Sequence, residues 1–181
     1  MKFLLVLFAS LALLSCNTNK SSLADKEVPE DSLFKAFVTR FMDAYWKQNP
    51  AFSIYAGYGK YYDVLKIPDS ASFAADVALA KQYKDSLHTF NFNVLSAGDK
   101  TDYLILENQF NSAIWYIDTF KQQEWDPSLN NIAGECYEII TKNYAPLAER
   151  LKTLSAHIAN ADAYYTAALH ILYNPTKEHT D

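Results

Sequence analysis

Four histidines, His88, His157, His170 and His179, are the first residues to weigh for chemistry. A zinc peptidase needs two histidines one helical turn apart with a glutamate between them, so that both rings reach one metal and the carboxylate reaches its water. No two of these four are spaced that way. Asp85-x-x-His88 puts a carboxylate and an imidazole on one helical face. A dinuclear carboxylate site needs a second such pair and further carboxylates, and none is present, so a solvated helix end is expected there. Glu107, Asp118, Glu124, Asp126, Glu135 and Glu138 offer carboxylates for acid–base work, but spacing alone selects no pair. Glu107, between Leu106 and Asn108 and one turn from Asn111, reads as structural. No Gly-x-Ser-x-Gly elbow occurs. Cys136, among Ala133, Tyr137 and Ile140, reads as a small buried hydrophobe rather than a nucleophile. Gly57-Tyr58-Gly59 lacks the third glycine and the preceding strand of a phosphate cradle. The sequence therefore assigns no catalytic and no metal-ligating residue, and it leaves substrate-binding residues open. Tyr58, Tyr61 and Tyr62 fall off core spacing and are expected to be exposed aromatics, free to stack on a ligand.

The elements that carry these residues read as helices throughout. Over residues 32–48, Leu33/Phe34, Phe37/Val38, Phe41/Met42 and Tyr45/Trp46 recur every four residues, which predicts a broad apolar stripe. Asp31 or Ser32 can cap its start, and Asn49-Pro50 ends it. A short helix follows over 50–58, with Pro50 at its first position, and then a loop to Pro68. Phe73, Val77, Ala80, Tyr83, Leu87 and Phe90 predict a helix over 70–90. Tyr103, Leu106, Phe110, Ala113, Ile117 and Phe120 predict another over 96–122, with Ser96 and Asp99 in capping positions. Asp126-Pro127 is expected to open a helix that runs to 142. Leu147, Leu151, Leu154 and Ile158 mark the apolar face of the next. Tyr165, Leu169 and Leu172 mark the last, broken at Asn174-Pro175. The expected class is all-α: about seven helices, mostly antiparallel neighbours because the connections are short.

The N-terminus sets the compartment. Lys2 is followed by a nearly unbroken apolar run from Phe3 to Leu14, too short to span a bilayer but suited to a secretory signal. It ends in Leu13-Leu14-Ser15-Cys16, which resembles the acylation signal of bacterial lipoproteins, although Leu14 is larger than the residue usual there. Residues 1–15 are expected to be a lipoprotein signal peptide. Cys16 is then the lipid anchor and the partner that holds the protein to the membrane. An ordinary cleaved leader with a free Cys16 is the alternative. If Cys16 is acylated, Cys136 has no partner in the chain. Residues 16–30 are polar and aperiodic and read as a flexible tether, leaving 31–181 as the helical domain. The expected location is exported and membrane-anchored, on the periplasmic side or the cell surface.

Composition bounds the partners. Removing Lys2 with the leader leaves 15 basic and 21 acidic residues, a net charge of −6. A mildly acidic domain without a basic stripe excludes nucleic acid as the expected partner. Half of the residues are hydrophobic, enough for a core, and only four glycines occur, which favours helices over a turn-rich β fold.

Several stretches together carry a family resemblance. They are Phe41-x-x-x-Tyr45-Trp46 with Asn49-Pro50 and Ala56-Gly57; Asp102-Tyr103-x-x-Leu106; Glu124-Trp125-Asp126-Pro127 with Asn131; Pro146-Leu147-Ala148-Glu149-Arg150-Leu151; and Asn174-Pro175-x-x-x-His179-Thr180. In order and spacing the chain, from about Leu33 onward, resembles the start of the bacterial domain-of-unknown-function family 885. Members of that family are mostly helical, often secreted or lipidated, and look like zinc metallopeptidases. The resemblance implies the N-terminal helical part of a larger metallopeptidase-like fold, incomplete at its C-terminus and inactive alone. Zinc is implied for the full-length family, but the family's His-Glu-x-x-His motif lies beyond the equivalent of Asp181, so no cofactor is expected in these residues. Apolar faces that would pack on the rest of such a protein should be left exposed, favouring self-association or a covering C-terminal region. The competing expectation is a complete, non-enzymatic surface lipoprotein that binds a sugar or peptide.

Overall fold

The computed structural model describes residues 29–179. The leader 1–15, Cys16 and nearly all of the tether lie outside the described residues, so the anchor has no structural account here. The described chain is all-α, as its periodicity predicts, with no strand among the described residues. Eight α-helices follow one another: α1 Glu30–Gln48, α2 Pro50–Ala56, α3 Ser70–Leu87, α4 Ala97–Trp115, α5 Gln122–Trp125, α6 Ala133–Thr141, α7 Leu147–Ala159 and α8 Ala161–Ile171. None of them is long and apolar enough to cross a membrane.

Two apolar clusters organise these helices. In the first, α1 presents Phe34, Phe37 and Phe41 to Ala80 and Leu87 of α3 and to Tyr103, Leu106 and Phe110 of α4. The rings meet edge to face, Phe41 on Phe110 at 4.8 Å and Phe34 on Phe90 at 5.4 Å between centroids, the geometry favoured by the ring quadrupole. In the second, Ile54 of α2, Tyr62 of the following loop and Ile139 of α6 are buried together, with Tyr144 and Leu154 packed alongside.

Local chemistry fixes most boundaries. Asn49 leaves the helical region before Pro50, and Gly57 takes a left-handed φ of 71° to end α2. Ser96 caps α4 by accepting from the Asp99 N–H, as its position predicts. Asp31 does not cap α1. Its carboxylate accepts instead from the Ser96 N–H at 2.9 Å, while Glu30 accepts from the Asn91 N–H at 2.9 Å, so the first turn of α1 is latched to the α3–α4 connection.

The helix expected over 96–122 departs from α geometry after Trp115. Residues Tyr116–Phe120 form a π-helical turn, and Lys121 closes it at a left-handed φ of 53°. A π-turn brings residues five apart onto one face. Trp115 stacks on Phe120 at 5.1 Å, and Phe120 meets Trp125 edge-on at 5.1 Å. Asp126 does cap the next turn, accepting from the Ser128 N–H, but Pro127–Leu129 is only a 3₁₀ turn. The expected single helix to 142 begins instead at Ala133, whose N–H donates to Asn131 Oδ1. The short α5 is the eighth helix that apolar spacing does not announce.

The loop after α2 is held by charge. Asp43 of α1 accepts from Tyr58 Oη at 2.7 Å, Lys60 Nζ at 2.8 Å and Tyr61 Oη at 3.1 Å. These donors, Lys60 first, hold its carboxyl at about 2, well below the ordinary value. Lys66 reaches both Asp76 oxygens at 2.6–2.7 Å and ties the loop's far end to α3. Asp43→Ala is expected to release the loop and speed tryptic cleavage after Lys60 in the folded protein. An unchanged cleavage rate would mean that the clasp does not order the loop.

Candidate functional site

The groups with the most unusual environment meet where α6, α7 and α8 pack against the 57–69 loop. His157 of α7 has no solvent exposure. Its Nε2 lies 2.8 Å from the Tyr62 carbonyl. A carbonyl only accepts, so the neutral ring carries its proton on Nε2 and turns the Nδ1 lone pair the other way. Facing Nδ1 at 3.7 Å is Oε2 of Glu135 on α6. Both atoms are buried and neither has a hydrogen-bond partner. Two lone pairs facing each other in an apolar interior repel, and a shared proton removes the conflict. Burial raises the Glu135 carboxyl to about 7 and pushes the His157 imidazole down. Below about pH 7 the pair therefore favours the uncharged state, with the proton on Glu135 and a neutral imidazole. Tyr164 of α8 completes the surroundings, its phenol pushed up to about 12, first by burial and then by the Glu135 carboxylate.

Two cations, buried Arg150 and half-exposed Lys142, fix the backbone around this pair. Arg150 of α7 donates through Nε to the Ala145 carbonyl at 3.0 Å and through Nη1 to the Ile140 carbonyl in the last turn of α6. Lys142 Nζ donates to the Ile54 and Tyr55 carbonyls at 3.1 and 2.6 Å, closing the C-terminal end of α2. Cations at helix C-termini satisfy orphan carbonyls and oppose the helix dipole. An acid–base group must come within hydrogen-bond reach of its substrate. His157, enclosed on every side, is placed to hold three elements together.

The residues singled out in the sequence scatter. His88 closes the exposed end of α3, as expected, and its Nε2 lies 3.1 Å from Glu107 Oε1. Glu107 thus engages His88 rather than Asn111. Asp118 pairs with Lys81, Glu124 with Lys121 and Glu138 with Lys142. Asp126 is buried and accepts from Gln122 Nε2 and from Ser128. Cys136 is half-buried, and burial together with Glu135 pushes its thiol up, away from thiolate chemistry. Among the described residues no three His, Cys, Asp or Glu side chains gather as a metal site.

One expectation needs correction. Tyr62 is buried, and Tyr58 and Tyr61 are half-buried, because Asp43 and the second core hold them. The exposed aromatics are others, among them Tyr137 and Tyr173. The apolar stripes of α7 and α8 face outward. Arg150 and His157 are buried on α7, and Tyr164 and Ala168 on α8. Leu147, Leu151 and Ile158, then Tyr165 and Leu169, stand open to solvent, Leu169 at 72 % exposure.

No protein-family model matches the sequence, and no curated protein matches it. One solved structure is similar: a Shewanella oneidensis protein described as a candidate lipoprotein of unknown function, 36% identical, with a TM-score of 0.78. The similarity covers 81% of this chain and 27% of that one, so the chain spans about a quarter of the length of the protein it matches.

Proposed function

We propose that these residues are the N-terminal helical region of an exported lipoprotein, anchored through Cys16, within a larger protein resembling zinc-dependent peptidases. The observation that carries this reading is the outward apolar stripe on α7 and α8, formed by Leu147, Leu151, Ile158, Tyr165 and Leu169. A soluble surface rarely leaves such stripes uncovered on adjacent helices. The inner faces of the same helices are already filled, so the stripes are spare docking surface. The Shewanella oneidensis lipoprotein, with a chain several times longer, supports both the anchor and the larger size. In this reading the described helices contribute a scaffold and no catalytic group, and zinc would be held by residues elsewhere in the protein.

Palmitate labelling of cells that produce the protein, followed by its mature mass and metal content, tests the reading. The expected result is a labelled membrane protein well above the 20.6 kDa of these 181 residues, containing zinc and cleaving peptides. Cys16→Ala should abolish the label. A labelled product no larger than this chain, without zinc or peptidase activity, would instead favour the non-enzymatic surface lipoprotein.

A further inference from the structure

A second concave site lies away from the Glu135–His157 pair. It is an open cleft of about 450 Å³ between α3, the π-helical turn, α5 and the end of α8, within the roughly 300–1,000 Å³ of ordinary ligand clefts. Its apolar walls include Phe73 and Tyr173, and its polar groups are Ser70, Asp118, Gln123, Glu124 and His170. Tyr173 is 84% exposed, yet its backbone is fixed. The Tyr173 and Asn174 N–H groups both donate to the Glu124 carbonyl, at 2.7 and 3.1 Å. An aromatic ring on a fastened backbone, with its side chain open to water, is a stacking platform that costs little entropy to use.

The two carboxylates that line the cleft are each paired with a lysine outside its lining. Asp118 lies 3.3 Å from Lys81, and Glu124 lies 3.2 Å from Lys121. Each ion pair is solvent-exposed and offers both donors and acceptors. The Gln123 amide donates to the Ile117 carbonyl, which leaves its own oxygen free to accept. His170 adds a ring that can donate and accept. A cationic ligand would have to displace Lys81 or Lys121 to reach a carboxylate, an anionic one would meet no lysine or arginine in the lining, and an extended peptide would find no strand edge to pair with.

From this combination we infer that the cleft between α3 and α8 binds a neutral saccharide, stacked on Tyr173 and hydrogen-bonded by Gln123, Asp118 and Glu124. A pyranose has an apolar C–H face for the ring and hydroxyls that both donate and accept, and the cleft has both. The inference is independent of the peptidase reading.

Isothermal titration of the purified mature protein with maltose, cellobiose and N,N′-diacetylchitobiose tests it. At least one should bind with a dissociation constant of about 1 mM or tighter, the floor of useful recognition. Tyr173→Ala should weaken that binding by tenfold or more. Because Tyr173 is so exposed, the variant should keep the wild-type circular dichroism and melting temperature. Gln123→Ala provides a second, independent loss. Binding that survives both substitutions would place the sugar elsewhere and overturn the assignment, as would no heat from any of the three sugars.

Discussion

His157→Ala should lower the unfolding free energy by about 3 kcal/mol, measured by urea denaturation at pH 7. Truncating a fully buried ring leaves a cavity. It also strands the Tyr62 carbonyl, which loses the Nε2 donor at 2.8 Å, and an unsatisfied buried acceptor costs about 1–3 kcal/mol by itself. A change under about 1 kcal/mol would mean that α7 does not depend on this bond. Glu135→Gln separates packing from titration. The amide keeps the shape and can donate to Nδ1 without carrying a proton that dissociates. Folding raises the Glu135 carboxyl from its ordinary 4.5 to about 7. Its contribution is therefore fully present below pH 4.5 and is lost as pH rises to 7, because the native state binds the proton that the unfolded chain has released. The stability of Glu135→Gln relative to wild type should grow by up to about 1.4 kcal/mol per pH unit across that window. The depressed His157 imidazole works in the opposite sense, gaining stability as pH rises toward 6.5. Both proteins share that contribution, so their difference reports Glu135. A difference that stays flat from pH 4.5 to 7 would show that Glu135 is ionised throughout.

Phe110→Ala should cost more, about 4–5 kcal/mol, at the upper end for phenylalanine. Phe110 is 1% exposed and meets Phe41 edge-on. It also borders a cavity of about 140 Å³ whose lining includes Tyr45, Asn49 and Asp76. Truncation would join new empty space to that cavity, leaving the surroundings little to collapse onto. Phe52→Ala, at an exposed ring on α2, should change stability by less than about 0.5 kcal/mol. Equal losses at the two sites in urea titrations would refute this account of the core.

The first core was legible because α1, α3 and α4 bury the residues that recur at three and four, Phe34 through Phe110. The second was not. Apolar periodicity on α7 selects Leu147, Leu151, Leu154 and Ile158, but of these only Leu154 turns inward, and the rest of that face is set by Arg150 and His157, whose value lies in the carbonyls they reach. A side chain chosen for a distant backbone oxygen leaves no periodic trace. The π-helical turn escaped for a related reason: Trp115, Phe120 and Trp125 repeat at five, outside both helical and strand patterns. The candidate pair itself was half visible. Glu135 stood among six carboxylates with nothing to distinguish it, and only the fold brings His157 to it.

The latch at the start of α1 has a mechanical consequence. Tension applied from the N-terminal side of the chain enters α1 through its first turn, at Glu30 and Asp31. Helix ends ordinarily fray one residue at a time at almost no free-energy cost. At this end, peeling must break the Asn91 and Ser96 hydrogen bonds before the strain reaches Phe34, which is fully enclosed in the first core. Load entering at Pro29 is thereby passed sideways into the α3–α4 connection. The entry point resists tugging as one unit with the core, instead of unravelling ahead of it.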